Sequence, residues 1–378
     1  MKSTGMSARI GHLFLRSLYL VASCVLVVFI LLLILNVFPG SLPTIPFLIS
    51  LFVSFYLHII VHFLGHCLFG NLTGLKLISF SLLNKTYVKE GNRFVVRPAP
   101  PEVSLCPCLM VPRKLSKSSS YTTYWLGGVF FNFLTASVAL IIAIFLLQLG
   151  STHFLIHYAI CFLLAFFAVG FVKTCMEGLP SWKAYLPNDA MAAWYLHHDP
   201  LSADAFQANM KILNMMAKGR TPGCEVAGQV IDEWHLKPED TANPFVMLMV
   251  LRQSEILQWH MEYKAADNCL ALLFEKADSH PEEWQERIMQ DCIFALVLQR
   301  QNAPLVDELL TEDQIRRYEN MASAESLRCL YAWSLWMNTG AKASSEYEGA
   351  AFRAANNIAF RPAAEGWKQV LADLTADN

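Results

Sequence analysis

Residues 17–38, 46–70, 124–149 and 153–172 form four runs of almost wholly apolar sequence. Each reaches the roughly 20 residues that a helix needs to cross the hydrocarbon core of a bilayer. Lipid offers no water to a bare backbone, so such runs fold as helices, and a polytopic helix bundle of about four spans is expected. The first run exceeds the roughly 7–15 residue core of a signal peptide and is followed by no small-residue cleavage site, which predicts a retained span.

Charge divides the chain in two. Residues 1–177 hold 12 Lys and Arg against 3 Asp and Glu, whereas residues 178–378 hold 17 against 28. With 54% hydrophobic and 16% charged residues and a mean hydropathy of +0.36, the whole is too apolar for an ordinary soluble enzyme. The basic residues of the first part stand beside the apolar runs: Arg9 and Arg16 before the first, and eight Lys and Arg from Lys76 to Lys117 between the second and third. That is the pattern of topology determinants, not of a nucleic-acid surface, and it assigns both stretches to the cytoplasm. Four spans then return the acidic part to the cytoplasm. Residues 1–177 are thus expected to form a membrane domain and residues 178–378 a cytoplasmic helical one. Of the ten cysteines only Cys106-Pro107-Cys108 has close spacing, a weak metal pattern, and no disulfide framework is expected.

Within the second run lies His62-Phe63-Leu64-Gly65-His66. Histidines four apart on a helix share one face a turn apart, so both imidazoles reach a single ion, as in zinc peptidases reading H-E-x-x-H. Phe63 occupies the position of the glutamate that takes a proton from metal-bound water, and a benzyl group accepts no proton at any pH. His58 extends the stripe by another turn, drifting by about 40° per step. It is a candidate for a base, for a third nitrogen ligand, or for a hydrogen-bonded interior histidine.

Between the second and third runs, residues 75–83 and 86–96 are rich in aromatic and β-branched residues around the turn-like Glu90-Gly91-Asn92. One or two β-hairpins are expected within about residues 73–121. Such a ribbon either offers an edge to an unwound substrate segment or simply closes the site. Gly127-Gly128 and Asn132 open the third run, where small residues permit close helix approach and a buried amide needs a partner. After the fourth run, Leu186-Pro187-Asn188-Asp189-Ala190 marks a turn into a helix. Asp189 there suits either an N-cap or a third metal ligand completing a tetrahedral site with water. Beyond it, residues 245–262, 265–277, 282–301, 324–338 and 363–374 repeat apolar residues at three and four. Helical pairs of this kind stack like tetratricopeptide repeats, without a fixed period, and such arrays bind proteins along a groove.

Taken in order, these segments resemble the site-2 protease family of intramembrane zinc metallopeptidases, in a bacterial form with a cytoplasmic helical tail. Val61-His62-Phe63-Leu64-Gly65-His66 is similar to V-H-E-L-G-H, Gly127-Gly128-Val129-Phe130-Phe131-Asn132 to G-G-P-x-x-N, and Leu186-Pro187-Asn188-Asp189-Ala190 to L-P-x-D-G. The resemblance, over roughly residues 55–200, implies zinc held by His62, His66 and Asp189, with Gly128 and Asn132 as substrate-binding positions. It also implies a bacterial cytoplasmic membrane and a transmembrane or membrane-proximal peptide as partner. It departs at Phe63, Val129 and Ala190. Loss of a positioned base costs about a hundred- to ten-thousandfold in rate, so a pseudoprotease that recognises membrane peptides, its tail holding a cytoplasmic protein, is the expected function. An active endopeptidase with an unconventional base and a metal-free membrane scaffold are the alternatives.

Overall fold

The computed structural model describes residues 44–376 apart from 83–84, 92, 101–102, 104–105, 114–120, 150–152, 184–185, 224–234, 300–302 and 338–340. The first apolar run, residues 17–38, lies outside the described residues. The other three form helices long and apolar enough to cross a membrane: α1 (Thr44–Leu72), α2 (Tyr121–Gln148) and α3 (Phe154–Gly178). The fold is mostly helical, with one small four-stranded sheet and a helical C-terminal region.

Small residues decide how the three long helices meet. A methyl group added at Gly65 of α1 would lie 2.4 Å from the Gly127 carbonyl oxygen of α2, and one at Gly127 would lie 2.8 Å from the Gly65 oxygen. The two backbones therefore cross in direct contact, which side chains at these positions would prevent. Ala136, Ala139 and Ala143 of α2 and Ala165 and Ala168 of α3 continue the close packing, with Phe47 of α1 filling one end. Large apolar side chains such as Phe52, Ile141, Phe145 and Leu155 face outward, as expected of surfaces that meet lipid.

The sheet comprises β1 (Leu75–Leu82), β2 (Lys85–Glu90), β3 (Arg93–Arg97) and β4 (Cys108–Pro112), in the order β3-β2-β1-β4. The hairpin expectation holds, since β1 with β2 and β2 with β3 pair antiparallel, with Phe80 opposite Tyr87 and Val88 opposite Val95. Gly91 supplies a left-handed turn residue at φ +60°, and the Phe80 and Tyr87 rings stack at 4.8 Å. Cys106 and Cys108 are both buried and unoxidised, and the Cys106 thiol donates to the Cys108 carbonyl, which makes the pair structural.

Among the described residues the chain groups into two compact units. One contains α1, α2, α3 and the short α4 (Asp189–His198); the other contains nearly all of the sheet and everything from Asp199 onward. The units thus do not follow the change of charge at residue 177, because side chains of the sheet pack with the tail, as where Asn214 donates to the Pro112 carbonyl at 2.9 Å.

The tail is built on α6 (Pro244–Trp259), every residue of which is buried. It packs against α5 (Pro200–Ala217), α7 (Tyr263–Phe274) and α13 (Arg361–Ala376), and between α7 and α13 the chain forms α8 (Glu282–Leu298), α9 (Ala303–Leu309), α10 (Glu312–Met321), α11 (Ala324–Trp336) and α12 (Ala341–Asn356). Neighbours in sequence pack on one another, α6 on α7, α7 on α8 and α11 on α12. The helix starts carry conventional caps: Asp199 with Pro200 at α5, Asn243 with Pro244 at α6, Thr311 at α10 and Ser323 at α11. Its interior contains ions as well as hydrocarbon. Glu255 bonds Arg252 and Arg287, Arg287 reaches Glu325 at 3.1 Å, and Arg328 pairs with Asp291 while lying 3.6 Å over the Trp367 ring.

Candidate metal centre

Helix α1 presents His62 and His66 on one face, toward α2. There Gly128 leaves them room: a Cβ at this position would lie 2.6 Å from His62 Cε1 and 2.7 Å from His66 Nε2. The third member arrives from 123 residues along the chain. Helix α4 packs against α2 and α3, and its first residue, Asp189, directs a carboxylate between the two rings.

How Asp189 is aimed corrects one expectation. The N-cap of α4 is Asn188, whose Oδ1 accepts from the Met191 and Ser181 amides, while its Nδ2 donates to the carbonyls of Met176 and Leu179. One buried amide thereby starts α4 and ties it to the end of α3. Asp189 is relieved of capping, and its carboxylate is left for the cluster.

Three atoms converge. His62 Nε2 and His66 Nε2 are 3.1 Å apart, and Asp189 Oδ2 lies 2.9 Å from the first and 3.3 Å from the second. Ligand atoms around a tetrahedral ion with bonds of about 2.0–2.1 Å stand about 3.3 Å apart, so the triangle needs only tenths of an ångström to accept one. The chemistry of the donors agrees. His66 Nδ1 is 2.9 Å from the Tyr124 carbonyl oxygen, to which it donates, so a neutral His66 ring turns the lone pair of Nε2 into the cluster. Asp189 Oδ2 is buried and, among the described residues, has no aligned hydrogen-bond donor despite the two close nitrogens. An ionised carboxylate and a lone pair aimed at one point fit a cation. Among the described residues His62, His66 and Asp189 are the group so placed. His66 is fully buried, whereas His62 and Asp189 keep 14% and 9% of their side chains exposed.

The other candidates fall elsewhere. His58 is buried and does not reach the triangle, since its Nε2 lies 2.9 Å from the Phe166 carbonyl oxygen and its Nδ1 3.0 Å from the Asn132 amide. With both nitrogens committed it is neither a base nor a ligand. Asn132 is equally buried, its amide shared between His58 and His62 Nδ1 at 3.1 Å. Asn132 and Gly128, expected at the substrate, thus support and shape the histidine pair. Glu90, the described acid of the loop, is engaged by Arg97 at 2.7 Å. Two participants carried no sequence pattern of their own, the carbonyls of Tyr124 and Phe166. Asn188 did carry one, because asparagine directly before a helix is among the strongest caps. Phe63 follows His62 in α1, half-buried, and brings no proton acceptor. No family model, curated protein or solved structure matches the chain.

Proposed function

We propose that this protein is a zinc-binding membrane protein of the intramembrane-metallopeptidase type that has lost its general base and that recognises membrane peptide segments without ordinary hydrolysis. The observation that carries this is the convergence of His62 Nε2, His66 Nε2 and Asp189 Oδ2 on one point. Two imidazoles and a carboxylate are the donor set of catalytic zinc, while a magnesium or calcium site would be built mainly from oxygen. Bound there, zinc supplies a Lewis acid for a peptide carbonyl. Hydrolysis further needs a group to take the proton of the attacking water. Phe63 cannot, and His58 has no free nitrogen. Support for an intramembrane setting comes from the three long apolar helices, two of which, α1 and α2, build the centre. The charge distribution supports a cytoplasmic tail, in the manner of a bacterial inner-membrane protein, whose helical surface would hold a protein partner.

The test combines metal content with cleavage. Purified protein is expected to carry about one equivalent of zinc that His62→Ala removes, and to leave a model transmembrane substrate uncut. Phe63→Glu is expected to raise cleavage above background. An equally metal-free wild type and His62→Ala would leave only a scaffold, and robust wild-type turnover that depends on His62 would make the protein an active endopeptidase.

A further inference from the structure

We propose that His58 is a positioning residue for the metal centre, acting through Asn132 to fix the tautomer of His62. The inference rests on the zinc reading above and deepens it.

The slot for His58 is built by all three long helices. The ring comes from α1, the Asn132 amide from α2, and the Phe166 carbonyl from α3, whose Phe166 ring lies 4.0 Å from the imidazole. Gly170 of α3 clears the space, since a Cβ there would sit 2.4 Å from His58 Cε1. So much shaping for a residue that touches neither the metal point nor solvent calls for a reason, and hydrogen-bond direction supplies it.

A carbonyl oxygen only accepts, so His58 Nε2, at 2.9 Å from Phe166 O, carries a hydrogen and donates it. A neutral ring then has a lone pair on Nδ1, whereas the Asn132 atom placed 3.0 Å away is the carboxamide oxygen Oδ1; two acceptors cannot bond, so the amide has to be turned round to bring its NH2 there. The two ends of a carboxamide have the same shape, and hydrogen bonding alone decides which is which. With the amide so turned, its oxygen takes the place of Nδ2, which is placed 3.1 Å from His62 Nδ1, and accepts a hydrogen from that ring nitrogen. His62 is thereby protonated on Nδ1, and its Nε2 presents a lone pair beside those of His66 Nε2 and Asp189 Oδ2. The amide orientation as placed, with Oδ1 toward His58 and Nδ2 toward His62, fails at both ends. It demands a charged, fully buried His58 hydrogen-bonded to two neutral oxygens, and it leaves the hydrogen of a neutral His62 on Nε2, pointing at the ion. One direction runs through the whole chain: His62 donates to Asn132, Asn132 to His58, and His58 to the α3 backbone. The matching support for His66 is the Tyr124 carbonyl, which needs no relay because a carbonyl cannot be turned round.

The experiment measures zinc affinity by chelator competition on the full chain in detergent, with melting of the metal-free protein as the measure of packing. His58→Phe keeps a ring in the slot but removes the acceptor that orients Asn132, and zinc is expected to bind about 10- to 100-fold more weakly, the usual effect of losing such support. In His58→Phe/Asn132→Asp the carboxylate accepts from His62 Nδ1 in either orientation. Affinity is expected to return to within about threefold of wild type, a rescue that recovered packing alone would not give. Should His58→Phe not assemble, Gly170→Ala, which drives the ring from its slot, is expected to weaken zinc over the same range. Wild-type affinity in His58→Phe, or a double variant as weak as the single one, overturns the relay and leaves the metal site standing. A wild type that binds no zinc removes both.

Discussion

Replacing Gly128 by alanine adds one methyl group, at a point where it meets both imidazoles. The Cβ would lie 2.6 Å from His62 Cε1, 2.7 Å from His66 Nε2 and 2.8 Å from His62 Nδ1, whereas ordinary contact begins at 3.4 Å. The rings, or α2 itself, would have to give by about 0.6–0.8 Å, several times the ~0.2 Å by which metal–ligand distances vary. Neither side yields easily. His66 is held by the Tyr124 carbonyl and His62 by Asn132, and one residue earlier Gly127 already touches the backbone of α1. Gly128→Ala is therefore expected to weaken zinc at least about 100-fold, which corresponds to about 2.7 kcal/mol of binding free energy. The assay compares zinc per chain and chelator competition in the two proteins, with helix content by circular dichroism and Gly349→Ala as a remote control. In melting experiments with zinc in large excess the wild type is expected to gain about 4 kcal/mol at 1,000 times its Kd, the variant far less. A Gly128→Ala protein that is fully helical and holds one zinc with wild-type affinity would show that the rings do not lie against α2 as described, and the account of the centre would fail.

Asn188→Ala removes the α4 cap and its ties to Met176 and Leu179, and is expected to cost about 1 kcal/mol of stability and to weaken zinc about 10- to 100-fold; unchanged affinity would mean that Asp189 is aimed by something else. Glu255→Ala removes the buried carboxylate that bonds Arg252 and Arg287, leaving Arg287 its bridge to Glu325, and is expected to destabilise the tail by about 3 kcal/mol in denaturant titrations of the full chain. Burial alone would raise the Glu255 carboxyl, but Arg252 and Arg287 hold it below its ordinary value. Its contribution is therefore complete above the unfolded carboxylate range near pH ~4.3 and is lost as pH falls through the folded value, so the gap between wild type and variant is expected to narrow in acid. Gly366→Ala would place a Cβ 2.6 Å from Trp259 Cγ and is expected to cost about 1–3 kcal/mol, whereas Gly349→Ala meets only the movable end of Arg353 and is expected to gain about 0.5–1 kcal/mol; equal effects in thermal melts would refute the packing of α13 on α6.

Some of this molecule was legible without coordinates because the governing forces act along the chain. An apolar run long enough to span a bilayer has to be helical, so α1, α2 and α3 lie within a few residues of the runs at 46–70, 124–149 and 153–172. Apolar spacing at three and four located α6, α7, α8, α11 and α13 in the same way. His62 and His66 share a helix face by geometry alone, and that Phe63 accepts no proton is a matter of side-chain chemistry. What depended on tertiary packing could not be reached so. By local pattern Asp189 suited a cap better than a ligand, and only the bonds from Asn188 to the end of α3 show that the cap is its neighbour. His58 had three possible roles until Phe166 of α3 and Asn132 of α2 were found on its two nitrogens. The physical reason is one of range. Hydrophobicity and helix propensity are summed over neighbouring residues, whereas the direction of a lone pair is set by partners about 60 to 120 residues away, brought within 3 Å by helices whose glycines let them touch.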